Sequence, residues 1–175
     1  RSSQDLSAFF PKSPADKMIL QDKDPHYRVY NLTTNTFNDG ATSFYHKAIG
    51  GYHAAKLGRY QELIEHQISQ GNEQVLNMLN AKYYIVPGEN RQPQAVLNPD
   101  ALGNGWFVDE IEWVPNANEE MSALDHFDPA QTAVVDRRFA ALFDGKAISA
   151  DTTAQVRLTS YHPEELHYTV TSQKG

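Results

Sequence analysis

The chain has 175 residues, enough for one domain with a buried core. An apolar fraction of 40%, with nine Tyr, eight Phe and two Trp, argues for a folded globule rather than a disordered tail. Asp and Glu outnumber Lys and Arg by 22 to 15, and the net charge of -7 is not concentrated in any run. That profile lacks the clustered basic face needed to hold a nucleic-acid backbone, so no nucleic-acid partner is expected.

The absence of cysteine excludes disulfides, thiolate metal sites and a cysteine nucleophile. It is compatible with an extracytoplasmic address without establishing one. No stretch reaches the roughly 20 apolar residues that span a bilayer. The first apolar cluster, Leu6 to Phe10, is too short for a leader. The chain reads as soluble, and a segment cut from a longer protein reads the same way.

Residues 1–13 are polar and proline-broken, and are expected to be irregular. Ser13 as N-cap and Pro14 at the first helical position open a short helix, which Asp24-Pro25 breaks. Residues 26–32 alternate as a strand, and Asn38-Asp39-Gly40 is turn chemistry. A helix is expected from Tyr52, with His53, Leu57, Tyr60, Ile64 and Ile68 as its inward stripe. Gly71 and Asn72 then end it and cap the next helix, Glu73 to Asn80.

The run KYYIVP suits a strand buried on both faces, and 105–114 is the longest strand candidate, with a bulge or strand end at Asp109. Asn116 with Glu119 opens a helix in capping-box fashion. TAVVD reads as a strand, Arg138 to Phe143 as a short helix stopped at Asp144-Gly145, and two alternating strands joined near His162 close the chain. The expected fold is α+β: a single domain over 14–175, with a mixed β-sheet, helices packed against it and a C-terminal antiparallel hairpin. The last strand runs nearly to Gly175, which suggests a sheet cut short there.

No phosphate loop, HExxH, GxSxG or EF-hand spacing is present, so no catalytic residue, metal site or cofactor is assigned. The seven histidines are scattered, with none paired at metal-ligand spacing on a helix. The stretch 43–59 is the candidate ligand-facing edge, with Tyr45, His46, Tyr52, Lys56 and Arg59 as its candidate binding residues. It concentrates the flat apolar faces and hydrogen-bonding groups that sugars favour. Against this, Lys56 and Arg59 also suit an ordinary solvated helix face, and His53 a buried structural role. Gly50-Gly51 fits either a tight entry turn or an anion site at a helix N-terminus. Asn31-Leu32-Thr33 is a glycosylation sequon inside an expected strand.

Three ordered stretches carry a resemblance: YRVYNLTTNTFNDGATSFYHKAIGGYHAAKLGRYQELI, VLNMLNAKYYIVP and NPDALGNGWFVDEIEWV. From about Pro14 onward the chain resembles the extracytoplasmic region of the YfhO family of bacterial multi-spanning membrane proteins, in its Bacteroides-like form. The resemblance implies a periplasmic domain at the outer face of the inner membrane. Its partners would be the membrane-embedded remainder of the same polypeptide and a glycan or lipid-linked sugar. The parent would look like a C-type glycosyltransferase, whose catalytic carboxylate belongs to an early loop that no residue here matches. The implied role is therefore an accessory one, not catalytic alone. The alternative is a structural or protein-interaction domain of a membrane protein, with no ligand of its own.

Overall fold

Ser13 starts the first helix in the computed structural model, which describes residues 9–143, 151 and 153–172. Helix α1 (Pro14–Ile19) carries a complete capping box: Ser13 Oγ accepts from the Asp16 amide, and the Asp16 carboxylate accepts from the Ser13 amide. The other elements are β1 (Arg28–Asn31), α2 (Ala41–Tyr45), α3 (Gly58–His66), α4 (Glu73–Met78), β2 (Ala81–Pro87), β3 (Pro93–Leu97), β4 (Glu110–Val114), α5 (Ala117–Ala123), β5 (Thr132–Asp136), β6 (Gln155–His162) and β7 (Glu165–Thr171). The α+β class, the mixed sheet and the C-terminal antiparallel hairpin are all present. The strands fall into three sheets rather than one. The chain forms two compact units, Arg1–Lys56 with Leu79–Ala101, and Leu57–Met78 with Leu102–Gly175.

In the first unit β2 is the central strand, parallel to β1 and antiparallel to β3. Segment 47–49 adds to the outer side of β1, where the Val29 amide donates to Lys47 O and the Ile49 amide to Val29 O. Ala15 and Ile19 of α1 pack with Tyr27, Val29, Ile85 and Ala95 as the core. Strand β3 escapes the sequence reading because it begins at Pro93 and is short. Proline has no amide to give a ladder, so it is tolerated at an edge, where β3 lies.

The second unit holds a β-α-β element, with β4 and β5 parallel and α5 between them in sequence. The Asn116 side chain caps α5 by accepting from the Asn118 and Glu119 amides. Gln67, almost fully buried, ties the end of α3 to α5: its Nε2 donates to Met121 O at 3.0 Å and to Asp125 Oδ1 at 2.8 Å. Asn72 caps α4 and donates to Gln67 Oε1 and Leu124 O. Residues 105–109, expected as strand, are engaged elsewhere. Trp106 Nε1 donates to Pro129 O at 2.7 Å, and the Asp109 and Glu110 amides both reach Gln131 O. A 3-10 turn covers Arg137–Phe143 where a short helix was expected, and the stop at Asp144-Gly145 lies outside the described residues.

The helix expected from Tyr52 begins only at Gly58. His53 is the reason: its Nδ1 accepts from the Ala55 amide at 3.2 Å, a local bond that competes with helix formation. His53 is exposed and Leu57 is 80% exposed, so neither belongs to a buried stripe, which keeps Ile64 and Ile68. Gly50 and Gly51 therefore do not stand at a helix N-terminus. A Cβ on Gly50 would come within 1.8 Å of Thr36 O, and Gly51, at φ 107°, donates to that same oxygen. This is a close backbone crossing that requires glycine. Gly50→Ala is expected to destabilise the protein by about 1–3 kcal/mol in urea unfolding, as overpacking does. Gly40→Ala, where nothing lies within 4 Å of the added Cβ, should change stability by less than about 0.5 kcal/mol.

Candidate functional site

The loop after α1 turns on two Asx bonds. Asp22 Oδ1 accepts from the Asp24 amide at 3.0 Å, and Asp24 Oδ1 accepts from the His26 amide at 2.9 Å. Both carboxylates thereby sit at one end of a cleft of about 440 Å³, within the roughly 300–1,000 Å³ of small-molecule sites. Tyr27 of the β1 approach, Phe44 and Tyr45 of α2, and Lys47 line the rest of it, with His46. All belong to the first unit.

Strand β2 holds the acidic wall from behind. Lys82 Nζ lies 2.6 Å from Asp22 Oδ2 and 3.7 Å from Asp24 Oδ2, and 5.1 Å from the centre of the Tyr27 ring. The Tyr83 hydroxyl donates to Asp22 Oδ2 at 2.8 Å. The Lys82 bond, helped by the Asp24 amide and the Tyr83 hydroxyl, holds the Asp22 carboxyl down at about 2. Burial, together with the Asp22 hydrogen bond and charge, pushes Tyr83 up to about 12. Burial works against the Lys82 ammonium, but the Asp22 bond outweighs it, so Lys82 lies above the ordinary lysine value. Asp22 and Lys82 are thus a fixed ion pair across the neutral range.

On the opposite wall, α2 presents Phe44, 41% exposed, with its ring 4.8 Å from Tyr45 and 5.2 Å from Phe10. The Tyr45 hydroxyl donates to Phe10 O, and Lys12 Nζ lies 5.3 Å from the Tyr45 ring centre. His46 Nε2 lies 2.8 Å from Asp16 Oδ1, its side chain 1% exposed. Burial pushes Asp16 up, but hydrogen bonds from Ser13 and His46 outweigh it and leave the carboxyl below its usual range. The pair links the capping box of α1 to the end of α2.

Of the residues singled out in the sequence, Tyr45 and His46 line this cleft together, with His46 held in its pair with Asp16. Tyr52 is 70% exposed in an irregular segment, and Lys56 is half-buried at the end of that segment; neither lines the cleft. Arg59 belongs to the second unit. It pairs with Glu62 at 3.0 Å and Glu120 at 2.7 Å, and lines an apolar groove with Leu57, Tyr60, Leu63, Met121 and Leu124. The sequence reading passed over Asp22, Asp24 and Lys82, since Asp24-Pro25 reads locally as a helix breaker. The partners lie about 60 residues apart, and no local period announces such a pairing.

Asn31 of the sequon is buried, its Nδ2 donating to Thr42 Oγ1 at 2.9 Å and its Oδ1 accepting from Thr33. Among the described residues no three His, Asp or Glu gather as metal ligands, and no helix is long and apolar enough to cross a membrane. No family model, curated protein or solved structure matches the chain.

The ion pair makes a pH prediction. Because the folded Asp22 pKa is about 2, below its ordinary 3.8, the stability that it contributes is fully present above 3.8 and lost as pH falls toward 2. Tyr83 behaves in the opposite sense: its contribution is present below 10.0 and lost as pH rises toward 12. Asp22→Asn is expected to lower stability by about 1–2 kcal/mol at neutral pH. The gap from the parent in urea midpoints should close progressively below pH 3.8.

Proposed function

We propose that this chain is an extracytoplasmic, periplasm-facing domain of a YfhO-like membrane protein of glycosyltransferase architecture. In this reading it is an accessory domain, not catalytic alone, that orients a glycan acceptor or a lipid-linked sugar donor above the membrane. The observation that carries it is the cleft between the Asp22–Tyr27 loop and α2, where an exposed phenylalanine faces carboxylates held in place from behind. An aromatic face packs on the C–H face of a sugar while fixed acceptors take its hydroxyl protons. The membrane-embedded remainder of the same polypeptide is the expected partner, and its own loops would supply the reacting groups.

The apolar groove of the second unit favours a second reading, a protein-interaction domain with no small ligand. Leu57, 80% exposed, lies along that groove beside the Arg59–Glu120 pair. The two readings separate on complementation by the full-length parent. Phe44→Ala is expected to abolish the glycan product at normal protein levels, while Tyr52→Ala leaves it unchanged. Normal product from Phe44→Ala, together with loss from Leu57→Asp, would transfer the function to the groove.

A further inference from the structure

The two ligands left open by that reading, a glycan acceptor and a phosphate-bearing sugar donor, differ in charge, and the cleft is not neutral toward that difference. A phosphate site needs converging cations or free backbone amides. The cations near this cleft are already committed. Lys82 is bonded to Asp22 at 2.6 Å, and Lys47 Nζ lies 3.4 Å from His26 Nδ1. The amides at the start of α2 are occupied as well, since Asp39 accepts from Ala41 N at 3.2 Å and from Thr42 N at 3.3 Å. Asp24, whose side chain is 45% exposed, and Asp22 present carboxylate oxygens to the space itself. A phosphate entering there meets like charge at short range.

The same groups suit hydroxyls. An ionised carboxylate only accepts, and its two oxygens match a pair of adjacent sugar hydroxyls, with charge-assisted bonds stronger than neutral ones. Asp22 is kept ionised and oriented by Lys82 and the Tyr83 hydroxyl, so no reorganisation is needed on binding. The exposed ring of Phe44 offers the apolar surface that a pyranose requires and a phosphate does not. We propose that the cleft takes an uncharged saccharide, its hydroxyls on Asp22 and Asp24 and its apolar face on Phe44, and discriminates against the phosphorylated form of the same sugar. This rests on the reading of the cleft as a glycan site and assigns it to the acceptor rather than to the donor.

Saturation-transfer NMR on the 175-residue chain tests it, with methyl glycosides of glucose, galactose, mannose and N-acetylglucosamine against the corresponding sugar 1-phosphates. At least one methyl glycoside is expected to bind, with its 1-phosphate weaker by about tenfold or more. Asp24→Asn should weaken the neutral sugar by about tenfold, the scale of one hydrogen bond to a charged group. Asn keeps an oxygen for the His26 amide, so the loop is retained, and circular dichroism checks the fold. Tighter binding of a 1-phosphate, or binding of the neutral sugar untouched by Asp24→Asn, would overturn the assignment to an uncharged ligand while leaving a sugar site in place. No saturation transfer to either set would overturn the glycan reading itself.

Discussion

The Asp22–Lys82 ion pair is the constraint on which the first unit's candidate site depends. It joins a loop with no regular structure to the central strand of the sheet, across 60 positions of sequence. With the Tyr83 hydroxyl on the same carboxylate and the Lys82 ammonium over the Tyr27 ring, the loop is fixed at three points. The pair is only partly exposed, 28% and 16% by side chain, so solvent screens it less than an ordinary surface bridge. Without it, the acidic wall would be a turn held by its Asx bonds alone.

The opposite wall is fixed by a different device built from the same kind of group. Asp16 closes the capping box of α1 and at the same time receives His46, so one carboxylate sets both the start of α1 and the end of α2. Phe44 and Tyr45 owe their position to that link and to the Tyr45 hydroxyl on Phe10. Each wall thus rests on a carboxylate satisfied by several donors, the arrangement that makes buried or half-buried charge tolerable. A site formed this way is largely preformed, which favours recognition of a rigid ring over an adaptable chain.

Local chemistry was legible in the sequence where it acts locally. Ser13 and Pro14, Gly71 and Asn72, and Asn116 mark helix ends at or near the places where helices end, because capping is decided within a few residues. The hairpin β6–β7 was legible from strict alternation. The reading failed where a side chain competes with the period it belongs to: His53 sits on the helical stripe but bonds the Ala55 amide and delays α3 to Gly58. It failed too at Pro93–Leu97, whose strand exists because β2 supplies the partner. For the site, Tyr45 and His46 were within reach because aromatic and polar residues cluster in sequence around them. Asp22, Asp24 and Lys82 were not, because their role is created only when β2 returns beside the loop.

A crystal structure of the chain soaked with a neutral oligosaccharide tests the central claim most directly. The account predicts a sugar ring stacked on Phe44, with hydroxyls in hydrogen-bond range of Asp22 and Asp24 and the Lys82 bond to Asp22 intact. A sugar bound instead along Leu57, Tyr60 and Met121, with the Phe44 cleft empty, would contradict it.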